Sequence, residues 1–404
     1  MSLVVQKFGG SSVANAERVF NVARIITDTY KAGNQVVVVV SAQGDTTDDL
    51  IEKAKEITDR PSKREMDMLL ATGEQISISL LAMAIEKLGC PAISLTGWQA
   101  GFNTSSQYGM ARIHKINTER LKIELDKNKI VVVAGFQGLN KHDDITTLGR
   151  GGSDTSAVAL AAALSADVCE IYTDVDGVYT TDPRICPDAV KLNDISYDEM
   201  LELASLGANV LNNRSVEMAK KYNVKLKVLS SLHRVEGTTV KEVKDVEKMM
   251  VRGVARDNNT ASIAVMEVDD QPGKVYTIFS KLAAKDINVD LIIQSEGREG
   301  TRDISFTVAS DRLQEALDVL NAANDVIGAK KIIFDDTVSK VSIVGAGMVS
   351  NAGVASKMFE ALFQSNINVR MIATSEIKVS VLIDRADAER AVVAIHDKFD
   401  LGRV

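Results

Sequence analysis

Short runs that are apolar at every position alternate with longer stretches that are apolar on one face only. Val36–Val40 and Ile130–Val133 are unbroken β-branched or aliphatic runs, as expected of parallel strands buried on both faces. Around them, Val13–Thr29, Met66–Leu88 and Asp154–Leu164 carry apolar residues at helical spacing. Strand–helix repetition of this kind predicts a mainly parallel sheet with helices on both faces, three layers in all. The texture persists to about Ser231 and gives way to a polar, charged stretch, Glu236–Lys248, read as a domain boundary.

Beyond that boundary the chain repeats itself. Gly273 matches Gly353, Phe279 matches Phe359, Leu282 matches Leu362, and Ile287-Asn288-Val289 matches Ile367-Asn368-Val369 at one constant offset. Ile292 with Ile372 and Ser295-Glu296 with Ser375-Glu376 keep the same register. So many matches at fixed spacing mark a duplicated module. Each copy reads as a glycine-initiated helix, a turn, and two strands, and is small enough that the two are expected to pack together. The repeat also accounts for Val341–Val344 followed by Gly345-Ala346-Gly347, which imitates a dinucleotide fingerprint but has Ser350 where the third glycine belongs.

Composition narrows the class. With 47 Lys+Arg against 55 Asp+Glu over 404 residues, the net charge is −8 and no basic run stands out, so nucleic acid and anionic membrane surfaces are not expected partners. Cys90, Cys169 and Cys186 stand far apart, which predicts a reducing, cytoplasmic setting without disulfides. His114, His142, His233 and His396 show no metal-binding spacing with one another or with cysteine, so no protein metal site is expected. The N-terminal MSLVVQKFGGSS does not read as a signal peptide, and no apolar run reads as a membrane span.

Two glycine-rich turns carry candidate chemistry. Lys7-Phe8-Gly9-Gly10-Ser11-Ser12 follows a short apolar strand and precedes a helix. Backbone N–H groups in such a turn can approach a phosphate, and a lysine just before it can reach a transferring phosphoryl group. An ordinary strand-to-helix turn fits the same residues. Gly149-Arg150-Gly151-Gly152-Ser153-Asp154 opens an alanine-rich helix. There the arginine suits bidentate binding of a carboxylate or phosphate, while Ser153 or Asp154 fits a plain N-cap equally well. Two such turns in one sheet domain are expected to face one cleft at the carboxyl ends of the strands. A third segment, YTDVDGVYTTDPR from Tyr172 to Arg184, is a structured loop after a strand. It lacks the spacing of an EF-hand, and its Tyr179 and Arg184 suit a stacking wall and a phosphate contact. Ser41–Asp48 and Ala71–Glu74 read on their own as polar loops.

Taken together, KFGGSSV, SAQGDTTDDL, ATGE, LTGWQAG, GRGGSDTSAVALAAAL and YTDVDGVYTTDPR, with DQPGK and the repeated INV segments, resemble monofunctional aspartate kinases over nearly the whole chain. The resemblance implies an α/β amino-acid kinase fold, three-layer αβα with a mainly parallel sheet, at residues 1–245. It implies a linker and returning strand at 246–260, then two α+β ferredoxin-like ACT domains at 261–335 and 336–404, without a fused homoserine dehydrogenase. The implied reaction is Mg²⁺-ATP-dependent phosphorylation of the L-aspartate side-chain carboxylate to 4-phospho-L-aspartate, the first step toward lysine, threonine, methionine and isoleucine.

The resemblance also implies roles. Lys7 and Asp154 would be catalytic, with Asp154 orienting Lys7 or holding metal through water. Ser41, Thr47, Glu74, Arg150, Gly151 and Ser153 would bind aspartate, Arg150 taking the α-carboxylate and Glu74 the ammonium. Lys7, Gly9, Gly10, Ser11, Thr173, Asp174, Tyr179, Asp182 and Arg184 would bind ATP. An effector, lysine and/or threonine, would be bound through Asp270, Gln271, Gly273, Lys274, Asn288, Val289, Asp290 and Gln294 of the first copy. Val354, Ala355, Asn368, Val369, Ser375 and Glu376 of the second copy would complete the set. A homodimer or higher oligomer through the ACT domains is expected, and Met249 or Met250 could start a separate regulatory subunit. The chain departs from relatives at Gln43, at Ser11-Ser12 and at Asn212-Asn213. Two other readings stand beside this one: a kinase for another amino acid, and a catalytically silent amino-acid sensor.

Overall fold

A computed structural model of the chain describes residues 1–208, 210–242, 250–296, 300–348, 351 and 353–403. The end of the polar stretch Glu236–Lys248, Met249 and Ser350, all named above, lie outside the described residues. The fold divides into two compact units: Met1–Tyr179, Lys191–Ser205 and Asn209–Asp245 form the first, and Thr180–Val190, Leu206–Ala208 and Val246–Val404 the second.

The first unit runs β1 (Leu3–Phe8), α1 (Ala16–Lys31), β2 (Gln35–Val40), α2 (Thr46–Ile57), α3 (Lys63–Lys87), β3 (Ala92–Leu95), β4 (Phe102–Thr104), β5 (Ile113–Ile116), α4 (Glu119–Asp126) and β6 (Ile130–Ala134). It continues with β7 (Gln137–Leu139), β8 (Ile145–Thr147), α5 (Gly152–Leu164), β9 (Val168–Thr173), β10 (Asp194–Ile195), α6 (Tyr197–Leu203), α7 (Asn213–Tyr222), β11 (Leu226–Ser230) and β12 (Thr238–Val240). Eight strands form one sheet in the order β10-β12-β11-β9-β1-β2-β6-β3, parallel except where β12 meets β11. The two aliphatic runs, β2 and β6, are neighbouring interior strands. Val36, Val38, Val40, Ile130 and Val132 pack with Val22 and Ile26 of α1 and Ile78, Leu81 and Ile85 of α3. On the opposite face Val39 turns toward the start of α5. Each buried valine or isoleucine contributes about 1.5–3 kcal/mol, which is why an unbroken run tolerates no water on either side. A smaller sheet, β5-β4-β7-β8, stands beside it.

Helix α3 is long and apolar enough, by length and composition, to cross a membrane, although polar residues interrupt its apolar run. Here it packs on β3, β6 and β8, and its buried residues include Asp67 and Glu74.

The second unit contains β13 (Gly253–Asp257), β14 (Ala261–Asp269), α8 (Lys274–Ala283), β15 (Ile292–Glu296), β16 (Thr301–Val308), α9 (Leu313–Ala322), α10 (Asn324–Ile327) and β17 (Lys331–Asp335). Then follow β18 (Val338–Val344), α11 (Val354–Gln364), β19 (Met371–Thr374), β20 (Lys378–Asp384) and α12 (Ala388–Lys398). Its two antiparallel sheets have the orders β15-β16-β14-β17 and β13-β18-β20-β19. Both are the split βαββαβ pattern. In the second sheet the fourth strand is β13, which precedes the first copy in sequence and pairs antiparallel with β18. The helices that open the two copies, α8 and α11, follow Gly273 at φ 98° and Gly353 at φ 97°. Left-handed backbone of this kind explains the paired glycines of the repeat.

Candidate active site

A cleft of about 680 Å³ opens in the first unit where β1, β2 and β6 end, lined among others by Lys7, Gly9, Gly10, Glu74, Arg150 and Asp154. Both glycine-rich turns therefore face one cavity. Lys7 lies on the central strand of the sheet, so its side chain leaves the carboxyl edge beside the turn that follows. Gly10 has to be glycine: a Cβ there would stand 2.5 Å from Ala42 O. The turn passes through a short 3₁₀ segment, Gly10–Val13, before α1, whose N-cap is Asn15.

Lys7 Nζ lies 2.7 Å from Asp154 Oδ1, an ion pair on the cleft wall. Asp154 sits in the first turn of α5, and the N-cap is Gly151 in left-handed backbone, φ 68°, with no side-chain cap. The plain capping role for Ser153 or Asp154 is thereby corrected: both are buried inside the first turn, facing the cleft.

Glu74 is only 3% exposed. Its Oε1 accepts from the Ala42 N–H at 3.1 Å, while Oε2 is buried with no hydrogen-bond partner among the described residues. Burial pushes its pKa up to about 7, against the Ala42 hydrogen bond, which lowers it. Ala71–Glu74, read as a loop from sequence, is part of α3. Ser41 and Thr47 line the same cavity, Thr47 in the first turn of α2. Arg150 is exposed on the cleft wall.

Three residues to which sequence reasoning gave no role hold the Arg150 turn. Asp67, two turns before Glu74 on α3, accepts from the Gly109 N–H, the Thr147 N–H and Thr147 Oγ1 at 2.6–3.0 Å. Burial raises its pKa, and the Thr147 and Gly109 hydrogen bonds oppose that. Arg214 donates to Leu148 O and Ala111 O. Asn212, the N-cap of α7, donates through Nδ2 to Arg150 O at 3.2 Å. Phe136, also on the cleft wall, has φ 70°, a strained conformation for a bulky residue. It is held there by Ser156 Oγ on its N–H and by Leu148 N–H on its carbonyl. The seven-residue spacing of Asp67 and Glu74 was the one available signal, since it places two acids on one helical face.

The expected nucleotide residues are distributed. Thr173 and Asp174 leave β9, the neighbour of β1, and Thr173 Oγ1 donates to Asp174. Ser231, missed from sequence, ties this edge to the glycine turn: it accepts from Ser12 Oγ at 2.8 Å and its N–H donates to Thr173 O at 2.8 Å. Ser11 is exposed, its carbonyl accepting from Arg18. Tyr179 bridges to Lys191. Asp182 and Arg184 fall in the second unit, where Arg184 folds back on Asp182 at 2.7 Å and holds its carboxyl below the usual range.

The expected effector residues do not form one cluster within a copy. Asp270, Gln271, Gly273 and Lys274 lie at the start of α8, and Asn288, Val289 and Asp290 lie beyond its end. A ten-residue helix separates them by about 15 Å. Asp270 is paired with Arg302 at 2.9 Å, Lys274 Nζ donates to Val326 O, and Asp290 is paired with Lys340 of the other copy. Gln294 lies exposed on β15. In the second copy Val354 and Ala355 open α11, whereas Asn368, Val369, Ser375 and Glu376 flank β19.

Comparison with known proteins places this geometry. Residues 2–230 match the amino acid kinase family, and residues 263–323 and 341–399 match the ACT domain. The chain is 53% identical over 402 residues to an aspartokinase of Bacillus sp. (strain MGA3), covering 99% of this chain and 98% of that protein. It is 51% identical over 404 residues to aspartokinase 2 of Bacillus subtilis (strain 168), covering 100% and 99%. Among solved structures, E. coli aspartokinase III in complex with aspartate and ADP, in its R-state, superposes with a TM-score of 0.82 at 25% identity, covering 98% of this chain and 99% of that one. The same enzyme in complex with lysine and aspartate, in its T-state, gives 0.78 at 26% identity, covering 98% and 99%.

Proposed function

The chain belongs to the amino acid kinase family and is an aspartate kinase with ACT domains, and from that premise we propose how its residues bind, react and are regulated. The observation that carries the reading is the buried, unpartnered Oε2 of Glu74 in the same cleft as Lys7 and Arg150. An α-amino acid matches that arrangement of charge. Its ammonium goes to Glu74, its α-carboxylate to the Arg150 guanidinium, with Ser41, Thr47, Gly151 and Ser153 around it, and its side-chain carboxylate points toward Lys7.

That carboxylate is the nucleophile. With an ordinary pKa near about 3.9 it is already ionised at neutral pH and needs no general base. A carboxylate oxygen forms the new bond to the γ-phosphorus of ATP, the bond to the bridging oxygen breaks, and ADP leaves with that electron pair. The difficulty is an anion approaching a polyanion, so catalysis consists of positioning and charge neutralisation. Lys7 and the N–H groups of Gly9, Gly10 and Ser11 hold the transferring phosphoryl group. Asp154 orients Lys7 through the ion pair. Thr173, Asp174 and Tyr179 hold the nucleotide. Mg²⁺ supplied with ATP neutralises phosphate charge when bound, and Asp154, a buried carboxylate lining the same cleft, would hold it through water.

Regulation is assigned to the duplicated modules, with lysine and/or threonine bound between copies rather than within one. The separation of the 270–274 and 288–290 groups supports that reading, because a complete pocket needs a second surface. Exposed Ile292, Phe334 and Ile372 on the edge strands β15, β17 and β19 favour pairing of modules into a homodimer or larger assembly. Effector binding then shifts the population between active and inactive arrangements. The enzyme is placed in the cytoplasm, at the head of lysine, threonine, methionine and isoleucine biosynthesis. The test is aspartate-dependent ATP turnover with the acyl phosphate trapped by hydroxylamine, run with no effector, lysine, threonine and both. Turnover with aspartate but not glutamate, suppressed by at least one addition, supports the reading; turnover unaffected by all three removes the regulatory part.

A further inference from the structure

Cys186 and His396 are distant in sequence, and the spacing of cysteines and histidines predicts no cluster between them. The fold overturns that expectation. Cys186 Sγ lies 3.5 Å from His396 Nδ1, and Asp397 Oδ1 lies 3.9 Å from the same nitrogen. The three ligand atoms are all within 4.8 Å of one another. Cys186 and His396 are buried, 1% and 0% exposed, while the Asp397 side chain is 62% exposed and gives the cluster a route to solvent.

From this we propose that Cys186, His396 and Asp397 form a binding site for a borderline divalent transition metal, of which Zn²⁺ and Co²⁺ are the type. Four observations converge on it. First, a tetrahedral ion with metal–sulfur and metal–nitrogen bonds of about 2.3 and 2.0 Å separates those atoms by about 3.5 Å, the spacing found. The carboxylate has to close by roughly 0.5–1 Å to reach its own bond length, which an exposed side chain can do by rotating. Second, the far nitrogen of the ring, Nε2, is held at 2.9 Å by Thr180 Oγ1, which itself accepts from the Val190 N–H. An oxygen that holds the ring from behind leaves Nδ1 to face the ligand, the part that a carboxylate, carbonyl or water plays at metal-bound histidines and that the Thr180 hydroxyl plays here. Third, Asp397 has no Lys or Arg partner among the described residues; its ion-pair contact is with the imidazole. Fourth, the ligand set of thiolate, imidazole and carboxylate selects a borderline transition metal over Mg²⁺, which prefers oxygen ligands alone.

Binding displaces the thiol proton to solvent, and the metal takes the resulting thiolate, the neutral imidazole and the carboxylate. The fourth position goes to water. Bound there, the ion staples the Thr180–Val190 segment to α12.

The test is a Co²⁺ titration of the full chain, followed by absorption in the near ultraviolet where a thiolate bound to cobalt absorbs. One equivalent per chain is expected to raise that band, and Zn²⁺ to abolish it by displacement, with excess Mg²⁺ leaving it unchanged. Cys186→Ser is expected to lose the band, Cys90→Ser to keep it. Asp397→Asn, at an exposed position that leaves folding intact, is expected to weaken Co²⁺ binding at least ~10-fold, and Thr180→Val by about 10–100-fold. A wild-type chain without the band, a band that survives Cys186→Ser, or an affinity unchanged by Asp397→Asn would each overturn the proposal.

Discussion

Lys7 Nζ and Asp154 Oδ1 stand 2.7 Å apart at the floor of the cleft, each side chain little more than a tenth exposed. One comes from the central strand and the other from the first turn of α5, so sheet and helix together fix where the Lys7 charge stands in the cleft. Lys7→Ala is expected to lower kcat by about 10²–10³, the size of effect seen when one donor to a developing charge is removed, with little change in KM for aspartate. A change confined to KM contradicts the assignment. Asp154→Asn is expected to lower kcat and alter the Mg²⁺ dependence; steady-state kinetics across Mg²⁺ concentrations checks both.

Asp67 ties Gly109 and Thr147 to α3 through its two carboxylate oxygens. Asp67→Asn replaces an acceptor with a donor facing backbone N–H groups, which leaves at least one buried group unsatisfied at a cost of about 1–3 kcal/mol. The expected outcome is a lower Tm together with a raised KM for aspartate, because the strand ending at Thr147 leads to the Arg150 turn. Calorimetry and kinetics on the same preparation test this; a fall in Tm with unchanged KM restricts Asp67 to stability.

Gly151→Ala is expected to impair aspartate binding more than ATP binding. A Cβ there would stand 2.2 Å from Asn212 Nδ2 in a backbone of φ 68°, so either the Arg150 turn or Asn212 has to move. Titration of each substrate separately, with the other omitted, distinguishes a displaced Arg150 from general unfolding.

Glu74 gives stability a sign with pH. Its carboxyl is raised from 4.5 to about 7 by burial. Below about pH 4.5 it is protonated in folded and unfolded chains alike. Between there and about 7 the folded state keeps a proton that the unfolded state has lost, so stability falls as pH rises, by about 3 kcal/mol in all. Glu74→Gln removes that dependence. Its Tm is expected to overtake the wild type increasingly from pH 5 to 8 without substrate, and saturating aspartate, which supplies an ammonium, is expected to narrow the gap. Thermal unfolding across that range checks the sign.

Much of this was legible in the sequence, for identifiable reasons. The aliphatic runs at Val36–Val40 and Ile130–Val133 have one comfortable environment, a strand covered on both faces, and both form fully buried interior strands of the sheet. The glycine pair Gly273 and Gly353 marked the duplication because left-handed backbone admits few other residues. What escaped was tertiary. Asp67 on a helix looks like any solvated acid until α3 is seen to press it against Gly109 and Thr147. Ser231 and Arg214 act on turns far away in sequence. Asp154 fits an N-cap by position, yet the backbone starts the helix at Gly151 and frees its carboxylate for Lys7. Cys186 and His396, separated by 210 residues, carry no spacing signal at all.

The most direct test of the central claim, that Glu74 receives the substrate ammonium, is the pH profile of kcat/KM for aspartate in the wild type and Glu74→Gln, with the acyl phosphate trapped by hydroxylamine. The account predicts that wild-type kcat/KM rises about tenfold per pH unit below about 7 and levels above it, as Glu74 ionises. For Glu74→Gln it predicts a profile without that step, lower by about 10–100-fold at pH 8, the worth of one charged hydrogen bond. Profiles of the same shape and height in the two proteins would contradict it.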